Sequence, residues 1–198
     1  MSTLFAHVAA GTAIYFSYSR LRSLHTWWAW PCFVFLAVMP DFDYFAIWLF
    51  GIKQDVRITH TLVFCLLAGA AAWFATRDRH HDGIHSRPLC IAGFLLAPVS
   101  HLVLDFSVGA HSVPVLWPLP QGELMSPFGL LPGVIHTRNL LSLAMWRNFI
   151  LESLILVPLL VMLVARARAT PVGKIARTGV LMLPLWCGAL AWSLLLPR

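Results

Sequence analysis

The sequence predicts an all-α integral membrane bundle of five to six helices, and three observations carry that reading. Hydrophobic residues make up 59% of the 198-residue chain and charged residues 11%, where an ordinary soluble domain carries about 25% charged residues. Apolar residues gather in long runs, and Lys and Arg fall in the short gaps between them. Nine Trp and thirteen Phe supply the aromatic anchors of a membrane interface. The length suits one membrane-embedded domain over residues 1–198. The net charge of +6 lies in membrane-flanking gaps, a pattern that argues for the lipid bilayer and against nucleic acid as the partner.

Taken in order, the apolar runs cover about 4–18, 26–50, 59–76, 88–106, 148–165 and 178–196. A full span needs ~20 residues. The first run is short. Without a basic leading segment or a small-residue cleavage site, it reads as a retained first span rather than a signal peptide. The second is interrupted by Pro40, Asp41 and Asp43, which predicts a span followed by a re-entrant or interfacial piece. The last four are better spans. Residues 107–147 differ: Pro114, Pro118, Pro120, Pro127 and Pro132, with Gly109, Gly122, Gly129 and Gly133, oppose a regular helix. Yet Val115-Leu116-Trp117 and Phe128-Gly129-Leu130-Leu131 keep the stretch apolar. Irregular backbone cannot face lipid within the hydrocarbon, so a long interfacial loop capping the bundle is expected. Cys32, Cys65, Cys90 and Cys187 lie in apolar runs without CxxC spacing and read as small buried side chains.

Six spans would place Arg20, Arg22, Arg77, Arg79, Arg87, Arg166, Arg168, Lys174 and Arg177 on one side. Lys53, Arg57, Arg138, Arg147 and Arg198 fall on the other. The richer side is expected to be cytoplasmic.

Only eight carboxylates occur in the chain, and several sit within or beside apolar runs, where ionisable groups by default mark a functional site. His101 and Asp105 are four apart, so a helix presents both on one face. Two ligands of one metal and a local His–Asp hydrogen bond fit that spacing equally well. Asp41 and Asp43 follow Pro40 and can converge at a helix end, or simply face water. Asp is poorly placed near a helix C-terminus, so a positive partner is expected. His60 follows Thr59, a possible helix cap, with Arg57 and Asp55 nearby. His7 lies one turn into its run, where a lone histidine is commonly a hydrogen-bonded core residue. His111 adds a possible ligand from the loop. Glu152 needs a partner, such as Arg147, Arg138 or a metal. His25, His80, His81 and His85 read as solvated, and His136 as a reserve ligand. In an up-down bundle His7, Asp41, Asp43, His60, His101, Asp105, His111 and Glu152 all share one membrane face, which points to one site. Aspartate and imidazole together suit Zn²⁺, Mn²⁺ or Fe. GxSxG, GxxxxGK[ST] and GxGxxG patterns are absent.

MPDFD, the downstream THT and SHLVLDFSVGAHSVPVLWP resemble the YdjM-like family of LexA-regulated, membrane-bound, metal-dependent hydrolases. Its pattern is an early helix histidine, then PDxDH, HRGxTHS and SHxxxDxxxxxGxxxLWP. The resemblance covers about residues 1–120 and implies His7, Asp41, Asp43, His60, His101 and Asp105 as metal ligands. Tyr44 stands in place of the histidine of PDxDH, and Asp55, Val56 and Arg57 in place of HRG. The spacing His101-x3-Asp105-x5-His111 is distantly similar to zinc-dependent phospholipase C. That likeness would imply that Asp105 bridges two metals and His111 serves the second. The implied protein is an inner-membrane hydrolase with two or more divalent ions, zinc first, and its site on the non-cytoplasmic side. It would act on a phosphoester or lipid-linked substrate through a metal-activated water, with Asp43 or Asp55 taking the proton and Arg57 neutralising charge. A non-catalytic carrier or sensor is the alternative, although carriers place ligands near the midplane.

Overall fold

The computed structural model describes residues 2–18, 27–51, 56–77, 87–109, 111–120, 122–133 and 142–196. Among these lie α1 (Leu4–Tyr18), α2 (Ala29–Val38), α3 (Asp43–Phe50), α4 (Leu62–Thr76), α5 (Arg87–Val108), α6 (Leu143–Ala167) and α7 (Val172–Leu195). Short 3-10 turns, Met39–Phe42 and Ile58–His60, lead into α3 and α4. The described residues contain no strand, only an isolated antiparallel bridge between Val113 and Leu124. The all-α bundle is therefore present, with one refinement. Among the described residues, three helices are long and apolar enough to cross a membrane: Pro88–Val108, Leu143–Ala167 and Val172–Leu195. At 15 residues each, α1 and α4 fall short of a full span, as does the 10-residue α2. The expected break in the second apolar run is real. α2 stops at Val38, Pro40 enters the 3-10 turn, and a new helix starts at Asp43.

α1 is central and packs against α2, α5 and α6. Its buried face is Ala6, His7, Ala10, Gly11 and Ala13. Such small residues let helix backbones approach closely, which favours association within lipid. Gly11 lies against the Phe33 carbonyl and Ala37 of α2, and Gly69 of α4 lies against the Phe94 carbonyl of α5. Phe33, Leu36, Phe94 and Ala97 fill the space between α2 and α5. Ala6, Ala10, Leu104, Leu151 and Ile155 join α1, α5 and α6. Large apolar side chains on α7, among them Val180, Leu181 and Leu185, remain exposed, as suits a lipid-facing helix.

The proline- and glycine-rich segment folds back over one end of the bundle. The Leu62 N–H donates to the Val115 carbonyl at 2.9 Å, and the Leu130 N–H donates to that of Ser107 at 2.8 Å. Val113 and Leu131 are buried, at 1% and 2% exposure. The irregular backbone thus finds partners in protein rather than lipid. Thr61, not Thr59, caps α4, accepting from the Phe64 N–H at 3.1 Å. Thr59 is thereby released for another task.

The α4–α5 contact predicts one mutational outcome. A Cβ at Gly69 would stand 2.5 Å from the Phe94 carbonyl oxygen, so backbone must move. Gly69→Ala is expected to destabilise the protein in detergent by about 1–3 kcal/mol. Gly188→Ala, with nothing within 4 Å, should be neutral or slightly stabilising. Thermal unfolding of both variants checks the pair; equal melting temperatures would contradict the close approach.

Candidate metal centre

The polar residues reach one end of the bundle by separate local devices. The 3-10 turn after α2 carries Asp41 inward. Asp43 occupies the first turn of α3, where the macrodipole favours a carboxylate. This corrects the expectation that it burdens a helix C-terminus, because the chain restarts a helix there. His60 closes the second 3-10 turn. His101 and Asp105 sit one turn apart near the end of α5.

Asp41, His60, His101 and Asp105 each offer one ligating atom, all within 4.8 Å of one another. His60 Nε2 lies 3.5 Å from Asp41 Oδ1 and 3.6 Å from Asp105 Oδ2. His101 Nε2 lies 3.6 Å and 3.7 Å from the same two oxygens. The imidazoles face each other, Nε2 to Nε2, at 3.2 Å. His101 Nδ1 is 2.9 Å from the Ala37 carbonyl, which can only accept, so Nδ1 carries the proton. Thr59 Oγ1 lies 3.0 Å from Asp43 Oδ2 and 3.0 Å from His60 Nδ1. The hydroxyl's single proton goes to the carboxylate, so His60 Nδ1–H donates to Thr59. Both Nε2 atoms therefore turn lone pairs toward one point. Asp41 Oδ1 and Asp105 Oδ2 face the same point, buried and without hydrogen-bond partners. Two lone pairs and two carboxylate oxygens repel one another in so small a space, and a bound cation or a shared proton would relieve them. The donor set, two imidazoles and two carboxylates, fits a divalent metal.

Asp43 does not join that group of four. It accepts from Arg57 Nε and Nη2, both at 2.8 Å, and from Thr59. The Arg57 guanidinium lies 4.3 Å from the centre of the Tyr44 ring and 3.6 Å from Asp41 Oδ1. Burial opposes the Arg57 charge, but the Asp43 hydrogen bonds and the neighbouring acidic groups outweigh it and raise its pKa above the ordinary value. Arg57 is thus cationic throughout the accessible pH range. The Tyr44 ring is its platform.

His7 stacks on His101 at 3.7 Å between ring centres. Its Nε2 is 2.8 Å from Ser2 Oγ and 3.6 Å from Asp105 Oδ1. Ser2 donates to Asp105 Oδ1 through its backbone N–H at 2.9 Å and its hydroxyl at 3.1 Å. His7 therefore lies beside the four rather than among them. Glu152 is fully buried, yet its partner is neither arginine nor the cluster: the Thr3 N–H and hydroxyl donate to its carboxylate. His111 is half-buried outside the group of four, and burial lowers its pKa. Asp55, Arg138 and His136 lie outside the described residues. Ser100, beside His101, only back-bonds to the Ala97 carbonyl. Sequence reading missed Ser2, Thr3 and the work of Thr59. Short hydroxyl residues at run edges carry no distinguishing signal, although Thr59 between Arg57 and His60 offered one.

Comparison with known proteins places these features in a family. No curated protein and no solved structure matches the chain, so the distant likeness to phospholipase C gains no support. The family model described as YdjM inner membrane protein matches residues 1–194, nearly the whole chain. With its membrane-length helices and its buried Asp–His cluster, the chain belongs to the YdjM family of inner membrane proteins.

Proposed function

We propose that this inner-membrane protein is a metal-dependent hydrolase acting on a phosphoester or lipid-linked substrate, with its site on the non-cytoplasmic side. The observation that carries the reading is the pair of imidazole Nε2 atoms 3.2 Å apart, each with its lone pair turned inward. Their Nδ1 atoms are spoken for by the Ala37 carbonyl and Thr59. Asp41, His60, His101 and Asp105 would hold the ion, with His7 in reserve for a second. Zinc suits this donor set first, and manganese or iron next. When bound, such an ion supplies a Lewis acid that polarises a phosphoryl oxygen and acidifies a water.

The chain's own residues supply the rest. Asp41 and Arg57 form the open edge of an otherwise buried cluster, at 19% and 21% side-chain exposure, so substrate is expected to enter there. Arg57, permanently cationic and fixed by Asp43, stands where it can neutralise charge on a phosphoryl group. Asp43 was the expected proton acceptor, but three accepted hydrogen bonds commit it to orienting Arg57 and Thr59. In this proposal Asp55, two residues before Arg57, keeps the proton-accepting role. The cluster's place at helix ends favours a hydrolase over a carrier, whose ligands belong near the midplane.

The test is metal analysis of detergent-purified protein, followed by a screen of lipid phosphoesters. A stoichiometric divalent metal with hydrolysis of at least one phosphoester is expected. Metal without turnover would favour a sensor, and no metal would leave only a hydrogen-bond network.

Two sets of variants sharpen the proposal. Asp105→Asn keeps shape but removes a charge, so bound metal and hydrolysis should vanish while thermal unfolding changes little. Unchanged metal with lowered stability would sink the ligand role. Thr59→Val leaves the ligands in place but frees the His60 tautomer, and should weaken metal binding about 10–100-fold. Arg57→Gln should retain metal and lose about 10²–10³ in kcat. A normal kcat in that variant would remove Arg57 from the chemistry.

A further inference from the structure

A second feature lies away from the cluster, on the outer surface between α1 and α6. An apolar groove of about 300 Å³ runs from Ala9 and Val157 to Phe16 and Val164. The two helices run side by side in the same direction, Thr3 meeting Glu152 at the cluster's end and Phe16 meeting Arg168 at the other. The groove therefore leads away from the metal centre toward the opposite membrane face. Small residues of α1 leave the depression, and β-branched residues of α6 wall it. Phe16 and Val161 are well exposed along it, at 41% and 58%.

The far end of this groove is marked by charge. Arg168 donates through Nε to the Phe16 carbonyl at 3.2 Å, and its guanidinium lies 5.3 Å from the centre of the Phe16 ring. Phe16 is thus both the last wall of the groove and the seat of Arg168. Arg166, Lys174 and Arg177 are exposed around the same turn between α6 and α7. No carboxylate follows Glu152 in the sequence. The two carboxylates expected on this face, Asp78 and Asp82, belong to the gap between α4 and α5. An apolar channel one helix pair wide, ending in a guanidinium among other cations, matches a lipid with an apolar chain and an anionic head.

We propose that the α1–α6 groove binds an anionic phospholipid, its acyl chain between the helices and its head group on Arg168. This lipid is not the substrate, because its head lies at the opposite face from the cluster. The inference is independent of the hydrolase reading. A second copy of the chain is the less suitable occupant. Two copies meeting along this groove in one membrane would bring their four-cation turns together, and among the described residues no carboxylate lies on that turn to offset them.

Native mass spectrometry of the full detergent-purified chain tests this. It is titrated with phosphatidylglycerol and phosphatidylethanolamine of identical acyl chains. The wild type should prefer phosphatidylglycerol by about fivefold or more, the effect of one well-placed cation. Arg168→Gln should bring the two lipids near parity and leave phosphatidylethanolamine binding unchanged. Val161→Trp fills the groove and should reduce binding of both lipids; Ala9→Leu fills it from α1 and replaces that variant if it fails to fold. Val180→Trp on α7 is the control and should change nothing. Equal binding of the two lipids by wild type, or a preference that survives Arg168→Gln, would overturn the proposal. So would a dimer that Val161→Trp abolishes while lipid binding persists. None of these results depends on metal content, so failure here leaves the hydrolase reading untouched.

Discussion

Asp105 is a carboxylate with no exposed surface, set near the end of a helix that is otherwise apolar. An ionised group taken out of water loses several kcal/mol even after relaxation. Its compensation must be built from protein and from whatever cation the site admits. Ser2 approaches from just ahead of α1, His7 from α1, His60 from the turn before α4, and His101 from its own helix. Each approach demands close helix packing. The small residues of α1 and the glycine contacts to α2 and α5 are the structural means of meeting that demand.

Around the four inner groups run two outward chains of support. One passes from His60 through Thr59 to Asp43, then to Arg57 and Tyr44, tying α4 to α3. The other passes from Asp105 through Ser2 to Thr3 and Glu152, tying α5 to α6. Both end on an ionisable side chain of another helix. Neither Asp43 nor Glu152 needs to touch a metal to matter: Asp43 fixes Thr59, which orients His60, and Glu152 fixes Thr3, the chain neighbour of the Ser2 that holds Asp105.

Much of this was legible before any coordinates. Polar residues inside apolar runs are costly enough to be informative, so Asp41, His60, His101 and Asp105 stood out, and alternation of the helices put them at one end. The break at Pro40 and the irregular loop were legible from proline and glycine chemistry. What escaped was decided by contacts between distant residues of common type. Threonine beside histidine looks like a helix cap, and only the fold shows that Thr61 takes the cap while Thr59 takes the imidazole. Glu152 called for a strong partner, and a threonine 149 residues away supplied it. The run 59–76 was expected as a full span and yields the 15-residue α4, because its first residues form the 3-10 turn that carries His60 into the cluster.

The Thr3–Glu152 linkage bears on how the protein reaches its final state during synthesis. α1 and α2 enter the membrane first and carry His7 and Asp41 with no partner on α4 or α5 yet made. The buried acid of α6 follows late in the chain, and the donors it needs lie 149 residues earlier, on Thr3. Insertion of the chain therefore leaves half-compensated charges in place until α6 docks. Biogenesis of this protein is expected to depend on machinery that shelters early helices from lipid, and to be most vulnerable to interruption between α5 and α6.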